Sequence, residues 1–377
     1  LENSPINAMR LVARDSNTTS AWQIVGWSGI AAGILILSFY SVIAGICLNY
    51  IFIAATSTGA INSAEQFGNI ISSPLNLLAW HTLFMFLTAT IVSAGINKGI
   101  GRMVKILMPM LGVLLVFMVI NGILSGGFGR AFSFLFAPDF SQVDSNTFLS
   151  AMGQAFFSLS LGMGSIMAYG AYMPKEQKII PTSFTVGSLD TLVAIFAGLA
   201  IFPIIFAFGL EPNSGPGLVF ESLQTAFNQM SYGQIIGPLF FILLSVAALS
   251  SSISLLEPGV AFISEEGSMS RKSAAISISF LTWTLGIGTV LSFNVWSDFN
   301  LTPGRNFLDS MDFIANQILL PLGGMLIAIF VGWFMDKNLI NEEIGHVNPI
   351  LFGIWRFFVK FVAPVSVAII FYNAIFG

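Results

Sequence analysis

Charged side chains, cysteine and histidine are all scarce in this sequence. Charged residues make up 8% of its 377 positions, against about 25% in an ordinary soluble domain. The one cysteine, Cys47, excludes an internal disulfide, and the two histidines, His81 and His346, show no metal-ligand spacing. The hydrophobic segments contain no nucleophile beside an obvious base. These absences argue against a soluble domain and an enzyme, and we expect no nucleic-acid partner.

Long hydrophobic segments dominate what is present. Hydrophobic residues make up 55% of the chain, and their runs reach the roughly 20 residues that a helix needs to cross a bilayer core. The sequence therefore predicts an all-α polytopic membrane protein, with residues 1–377 forming a single transmembrane domain in the lipid bilayer. The predicted spans are residues 22–55, 75–95, 104–125, 148–172, 183–209, 235–263, 273–295, 311–335 and 352–376.

The basic residues fall mainly on one side of the predicted membrane. Of the 14, only Arg130 and Arg305 lie in the opposite set of loops. Since lysine and arginine remain on the cytoplasmic side of short loops, this pattern predicts a cytoplasmic chain start and an external Gly377. The side that holds the others is called the basic face below. Its residues are Arg10, Arg14, Lys98, Arg102, Lys105, Lys175, Lys178, Arg271, Lys272, Lys337, Arg356 and Lys360.

The predicted span 148–172 contains residues unsuited to an unbroken helix. Between Gly153 and Gly164 it combines glycines with serines. Glycine costs about 1 kcal/mol relative to alanine inside a helix, and serine hydroxyls compete for backbone hydrogen bonds. Irregular backbone persists at membrane depth only where protein encloses it or where it lines a cavity. We therefore predict a broken helix whose free carbonyls and amides point at a ligand, as in secondary transporters.

Four motifs occur in order along these spans. Together they resemble the sodium-coupled neurotransmitter symporter family, and most closely its bacterial amino-acid transporters. The resemblance covers nearly all of the chain and implies an inverted repeat of five plus five helices in a bacterial plasma membrane. The motifs are Phe39-Tyr40, the segment Gly153 to Gly164, Ala247-Ala248-Leu249-Ser250-Ser251-Ser252-Ile253 and Leu308-Asp309-Ser310-Met311-Asp312-Phe313.

The resemblance also implies a register within the family fold. The predicted spans look like family helices 3 to 11, so that residues 1–125 are the remainder of the first repeat, 148–335 the second repeat and 352–376 an extra C-terminal helix. The family's first two helices, with an Asn-Ala pair and glycines at a break, have no counterpart here. We expect both helices to precede Leu1 in the full-length protein.

Six residues match the family's substrate site. The resemblance implies that Tyr40 donates to the substrate carboxylate and that Phe157 closes over the substrate; a tyrosine bonded to a neighbouring carbonyl is the alternative. Met163 is flexible and polarizable, which suits a hydrophobic or aromatic amino acid. Ser251 and Leu255, four residues apart on one helix face, look like the opposite wall. The six are Tyr40, Phe157, Ser160, Met163, Ser251 and Leu255.

Oxygen-bearing groups match the family's two sodium sites. Sodium is a hard cation that prefers oxygen ligands, and hydroxyls and carbonyls supply them without burying full charges. The Ala247 carbonyl, Ser250 and Ser251 match one site, while Ser158 and Asp190 match the other. A serine cluster in a membrane helix is otherwise often a packing face, which remains the alternative interpretation of this run.

Asp190 lies inside a predicted span, where an unpaired carboxylate costs at least about 2.5 to 3.5 kcal/mol. Family members that need chloride typically have asparagine at this position. The resemblance therefore implies that the fixed Asp190 carboxylate balances sodium and that transport proceeds without chloride. The alternative is a protonated aspartate with a structural role.

Three further polar residues match the family's gates. Gln154 and Asp312 match the outer gate, whose arginine is expected in the absent first helix, and Glu265 matches the acidic position of the inner gate. Asp312 and Glu265 are equally consistent with charges at span ends near water. Glu257, which precedes Pro258 inside a span, has no assigned role.

The loop 210–234 carries turn residues followed by apolar ones, which predicts a helix through Leu223 and Phe227 that folds back over the transport pathway. A solvated linker is the alternative.

These features predict sodium-coupled symport of a neutral, hydrophobic or aromatic amino acid by alternating access, with sodium as the only required ion. A non-transporting amino-acid sensor, or a subunit of a membrane complex built on the same fold, is the alternative. A channel is disfavoured because the polar residues gather near one depth rather than recurring along a helix.

Overall fold

The computed structural model describes residues 4–57, 62–174, 176–212, 215–267, 269–345 and 348–376, and within these ranges the chain is nearly all helical. The α-helices are α1 (Pro5–Asp15), α2 (Ile24–Thr56), α3 (Ser63–Ile71), α4 (Pro74–Ser93), α5 (Gly101–Leu124), α6 (Phe128–Phe136), α7 (Ser145–Ser158), α8 (Ser165–Ala171), α9 (Ile179–Ala207), α10 (Gly215–Gly217), α11 (Leu223–Gln229), α12 (Gly233–Glu265), α13 (Arg271–Ser292), α14 (Phe307–Asp312), α15 (Leu320–Ile329), α16 (Lys337–Ile344), α17 (Pro349–Phe357) and α18 (Ala363–Phe376).

Short segments of other helix types extend several of these elements. Three π-helical segments join neighbouring α-helices and two extend one end of an α-helix, while the first 3₁₀ segment leads directly into α2 and the second lies in a connection. The π-helical segments are Ile96–Ile100, Leu218–Ser222, Phe313–Leu319, Phe330–Phe334 and Phe358–Val362, and the 3₁₀ segments are Ser20–Gln23 and Phe140–Gln142.

The prediction of an all-α polytopic membrane protein is confirmed. In the described residues, 8 continuous helical rods are long and apolar enough to cross a bilayer. The remaining predicted span, 148–172, is divided between α7 and α8, neither of which is long enough alone. The rods are Ser20–Thr56, Pro74–Ser93, Lys98–Leu124, Ile179–Ala207, Gly233–Glu265, Arg271–Ser292, Phe307–Phe334 and Pro349–Tyr372.

Helices α2 and α12 form the centre of the molecule. Both are hydrophobic around their whole circumference, as expected for helices buried among other membrane helices. Glycines of α2 let its neighbours approach closely: a Cβ on Gly33 would lie 2.9 Å from the Leu255 carbonyl oxygen, and one on Gly45 would lie 2.8 Å from the Trp80 carbonyl carbon. Close backbone contact through small residues is how membrane helices gain packing energy.

The segment 215–229 packs onto the helix ends rather than forming a solvated linker. The predicted helix through Leu223 and Phe227 is present as α11, and both side chains are buried. The Phe220 ring lies 4.9 Å from the ring of Tyr50 in α2, and the Phe227 ring lies 5.5 Å from that of Phe240 in α12. This apolar face therefore attaches the segment to the central helices, while its role over a transport pathway stays a prediction.

His81 has a structural environment. Its ring is fully buried in α4, and Nε2 lies 3.2 Å from the carbonyl oxygen of Trp283 in α13. In the part of the chain that the structure describes, no group of three or more histidine, cysteine or acidic side chains could hold a metal ion. His346 lies outside the described residues.

Candidate functional site: the broken helix

The span that begins with α7 is interrupted between Ser158 and Ser165. Within the gap, Ser160 has φ 55°, Gly162 φ 83° and Gly164 φ 73°. A left-handed conformation is strained for serine and accessible to glycine, so the glycines of this segment permit the turn. The break predicted between residues 153 and 164 is confirmed, and it occupies residues 159–164.

The break leaves backbone polar groups without partners. The amides of Ser160 and Leu161 still bond back to the carbonyls of Phe157 and Phe156. Beyond them, the carbonyls of residues 158–163 and the amides of residues 162–167 make no well-aligned backbone hydrogen bond to any other described residue. Unpaired backbone groups are unfavourable at membrane depth, so this segment is suited to bind an ion or a polar ligand.

Two other elements enclose the break. A Cβ on Gly162 would lie 2.5 Å from the carbonyl oxygen of Leu320 at the start of α15. On the other side, a Cβ on Gly29 of α2 would lie 2.7 Å from the Gly164 amide nitrogen. The irregular backbone is therefore held between packed helices instead of facing acyl chains on all sides.

Ser158 and Asp190 lie together at the end of α7. The Ser158 hydroxyl donates a hydrogen bond of 2.5 Å to Oδ2 of Asp190, which is half-buried in α9. Their oxygens adjoin the first free carbonyls of the break. Hydroxyl, carboxylate and carbonyl oxygens form the donor set that a hard cation prefers.

The three consecutive serines of α12, residues 250–252, have different environments. Ser252 is fully buried, and its hydroxyl lies 2.8 Å from that of Thr88 in α4, so this serine has the packing role that the sequence left open. Ser250 is half-buried and donates to the Ala247 carbonyl at 2.8 Å, while Ser251 is exposed. Ala247 and Ser250 thus meet, and Ser251 adjoins them in the chain.

Four of the six predicted substrate-site residues lie together beside the break. Met163 and Leu255 are 4% and 7% exposed and belong to one buried cluster, against which Tyr40 packs. The Tyr40 side chain also interacts with that of Ser251. Tyr40, Met163, Ser251 and Leu255 therefore share one region between α2, α12 and the break. Phe157 lies at the end of α7 and is 39% exposed, and Ser160 lies within the break.

Ser160 and Met163, two of the predicted substrate-site residues, are part of the break itself. Both lie within the irregular segment, since α8 begins only at Ser165. The physical reason is that left-handed turns at Gly162 and Gly164 delay the restart of the helix.

The two predicted outer-gate residues, Asp312 and Gln154, have different surroundings, and their role in a gate stays a prediction. Asp312 accepts a hydrogen bond of 2.7 Å from Asn316 and lines a cavity of about 350 Å³ together with Arg305, Asp309, Phe313 and Gln317. The Arg305 guanidinium stacks over the Phe313 ring, 4.0 Å from its centre. Gln154 is exposed on α7 and is not among the residues that line this cavity.

Glu265 joins α12 to the N-terminal helix. Its Oε2 accepts hydrogen bonds from the Ser4 amide at 2.7 Å and from Asn7 Nδ2 at 3.0 Å. The adjacent Glu266 lies 3.6 Å from Arg10. The basic-face end of α12 is thereby attached to α1, and the role of Glu265 in an inner gate stays a prediction.

Glu257, for which no partner was predicted, has two in the structure. Glu257 is 1% exposed; its Oε2 lies 2.5 Å from Nη2 of Arg271, and Oε1 accepts from the Tyr172 hydroxyl at 2.8 Å. Near it, Ser165 donates to the Ser254 carbonyl at 3.0 Å, and the Tyr169 and Ser254 hydroxyls are 2.8 Å apart. These bonds attach α8, the second half of the broken span, to α12.

Sequence reasoning missed Tyr169 and Tyr172, although a signal was available. Ser165, Tyr169 and Tyr172 follow one another at spacings of four and three, which places them on one helix face. A polar face on so short and apolar a segment indicates a neighbouring helix with polar partners.

Replacing Tyr172 with phenylalanine should lower stability by about 1 to 3 kcal/mol, because one oxygen of a buried carboxylate loses its donor. Thermal unfolding in detergent measures the change. Tyr169→Phe is the matched control, since it removes a bond between two neutral hydroxyls and should cost no more than about 1 kcal/mol. Equal effects of the two substitutions would contradict the importance of the Glu257 contact.

Comparison with known proteins agrees with this architecture. The model of the sodium:neurotransmitter symporter family matches residues 62–377. An uncharacterized sodium-dependent transporter of Bacillus subtilis, YhdH, is 35% identical over 94% of this chain and 80% of its own length. One from Haemophilus influenzae is 33% identical over 97% of the chain and 82% of its own length.

The fold also matches a solved structure. The crystal structure of MhsT in complex with L-phenylalanine is 42% identical in sequence, with a TM-score of 0.90 over 99% of this chain and 85% of that chain. The predicted family and the exclusion of an enzyme are therefore confirmed, while the two helices expected before Leu1 stay a prediction. This chain is an integral membrane protein that belongs to the sodium:neurotransmitter symporter family.

Proposed function

We propose that the protein carries a neutral hydrophobic or aromatic amino acid across the membrane together with sodium, by alternating access and without chloride. The observation that carries the proposal is the break at residues 159–164, where free backbone groups adjoin the Ser158–Asp190 pair. The L-phenylalanine bound to MhsT supports the substrate class.

Sodium would bind at two places beside the break. Ser158 and Asp190 offer a hydroxyl and a carboxylate next to free carbonyls, and Ala247, Ser250 and Ser251 offer a carbonyl and two hydroxyls on α12. The negative ends of broken helices favour cations. Binding at both places would draw the break and α12 together.

The amino acid would bind between these groups. Its carboxylate would accept from the free amides of the break and from the Tyr40 hydroxyl, because helix N-termini attract anionic groups. Its side chain would contact Met163, Leu255 and Phe157. The two apolar side chains and the aromatic ring would favour an apolar substrate side chain. A charged one would lose its hydration there.

Sodium entry provides enough energy for uptake. One sodium ion that moves down a potential of 100 mV releases about 2.3 kcal/mol, which corresponds to nearly fiftyfold accumulation of a neutral solute. Its concentration gradient would add to this amount.

Uptake by the full-length protein in proteoliposomes tests the proposal. We expect accumulation of labelled phenylalanine that depends on a sodium gradient and is unchanged when gluconate replaces chloride. Binding without accumulation would favour the sensor instead, and uptake that requires chloride would contradict the assigned role of Asp190.

Tyr40→Phe should lower the apparent affinity for the amino acid about tenfold or more, because a hydrogen bond to a charged group contributes roughly 1.5 to 3 kcal/mol. Concentration-dependent uptake measures it. Tyr50→Phe is the matched control on the same helix, since the Tyr50 hydroxyl is buried without a hydrogen-bond partner among the described residues. A similar loss of affinity in both variants would argue against contact between Tyr40 and the substrate.

A further inference from the structure

Two π-helical segments meet near the basic face. They are Phe330–Phe334, which follows α15, and Phe358–Val362, which follows α17. A Cβ on Gly332 would lie 2.8 Å from the Lys360 Cα. The Trp333 indole donates to the Lys360 carbonyl at 3.0 Å, and Arg356 Nη2 donates to the Gly332 carbonyl at 3.4 Å. These contacts place Arg356 and Lys360 beside the last turn of the preceding span.

This position is at the membrane boundary. The rod Phe307–Phe334 is followed, after Met335, by the charged pair Asp336-Lys337. Gly332 therefore lies two residues, or roughly 3 Å, inside the end of the helix. Arg356 and Lys360 are four residues apart, so they lie on one face of their helix at this level.

Neither cation has an acidic partner within the described ranges. Lys360 Nζ lies 3.9 Å from the centre of the Trp333 ring, which leaves its N–H groups available. Arg356 Nη1 is buried and has no hydrogen-bond partner among the described residues. Glu342 and Glu343 of the nearby α16 are exposed and form no ion pair with either residue. An unpaired buried guanidinium nitrogen indicates that an acceptor from outside the chain belongs there.

The surface around the two cations is aromatic and faces away from the protein. Aromatic side chains concentrate at the membrane interface, where their rings contact acyl chains below the headgroups. A molecule that fits this surface has a negative headgroup and hydrocarbon chains. The exposed residues are Trp333 at 53%, Phe334 at 47%, Phe357 at 55%, Phe358 at 54% and Phe361 at 43%.

We propose that Arg356 and Lys360 form a binding site for the phosphate of an anionic phospholipid in the leaflet next to the basic face. Arg356 Nη1 and Lys360 Nζ donate to the phosphate oxygens, and the acyl chains lie against Phe357, Phe358 and Phe361. Basic pockets between membrane helices are suited to such headgroups. The site is separate from the break, so this proposal does not depend on which substrate the protein transports.

Native mass spectrometry of the purified full-length protein tests the site by titration with phosphatidylglycerol and phosphatidylcholine. We expect Arg356→Gln/Lys360→Gln to weaken phosphatidylglycerol binding about thirtyfold, from roughly a factor of five per basic residue near the surface. Phosphatidylcholine has the same phosphate but no net charge because of its choline cation, so its binding should be weaker and should change much less. Arg356→Lys/Lys360→Arg keeps both charges and should retain most of the preference.

Arg102→Gln/Lys105→Gln is the matched control. These two residues are exposed on the basic face, and their replacement removes the same charge from another helix. Equal loss in this control would overturn the site in favour of a general charge effect, and so would equal phosphatidylglycerol affinity in wild type and the Arg356/Lys360 variant. Competition by inorganic phosphate as strong as by the lipid would also overturn it. If the double variant does not fold, Lys360→Gln alone should give about a fivefold loss.

Discussion

Replacing Asp190 with asparagine should abolish sodium-driven uptake in chloride-free medium or make it depend on chloride. The carboxylate lies beside the Ser158 hydroxyl at the proposed sodium site. A unit negative charge about 4 Å from a cation contributes roughly 4 kcal/mol at an effective dielectric constant near 20. Its removal should weaken apparent sodium affinity by a factor on the order of a thousand, unless a mobile anion replaces the lost charge.

Uptake assays in gluconate and chloride media, each over a range of sodium concentrations, measure this effect. Asp298→Asn is the matched control, because it makes the same chemical change at an exposed loop carboxylate and should leave uptake unaltered in both media. An Asp190→Asn protein with wild-type uptake in gluconate would contradict the charge-balancing role, and would favour the protonated, structural aspartate.

Sequence alone could predict the spans and the break because both depend on local properties. The length of an apolar run sets a span, and the local cluster of glycine and serine at residues 153–164 sets the interruption. The Ser158–Asp190 contact, by contrast, joins residues 32 positions apart. It could be expected only from the resemblance to a family, not from composition or periodicity.

Other parts of the site depend on long-range packing that no local pattern encodes. Glu257 precedes a proline inside a span and gave no indication of its partner, yet Arg271 reaches it from the start of the next helix. The cavity that holds Asp312 also contains Arg305, which comes from the loop before α14. In neither case does the residue pattern of one span specify which charged groups lie near each other.

The two halves of the broken span are attached differently. Helix α8 is joined to α12 through Ser165, Tyr169 and Tyr172. The end of α7 is instead bonded to α9, through the side chains of Ser158 and Asp190. Sodium at that pair would couple the α7 half to α9. A hinge between unequal attachments is suited to alternating access, because one half can move while the other stays fixed to α12.

Gly162→Ala tests whether this hinge geometry is required. At φ 83° an alanine is strained, and its Cβ would lie 2.5 Å from the Leu320 backbone oxygen, which cannot rotate away. The left-handed conformation contributes about 1 to 2 kcal/mol and the overpacking about 1 to 3 kcal/mol. We therefore expect a loss of about 2 to 5 kcal/mol, seen as lower thermal stability and as sodium-driven uptake reduced thirtyfold or more.

Gly153→Ala is the matched control, because Gly153 lies inside α7 and a Cβ there meets nothing within 4 Å. Alanine should stabilise that helix by up to about 1 kcal/mol and leave uptake close to wild type. Normal sodium-driven uptake by the Gly162→Ala protein would show that the left-handed turn is dispensable. Since the free carbonyls and amides of the break exist only because the chain turns there, that result would also remove the structural basis for ion and substrate binding at residues 159–164.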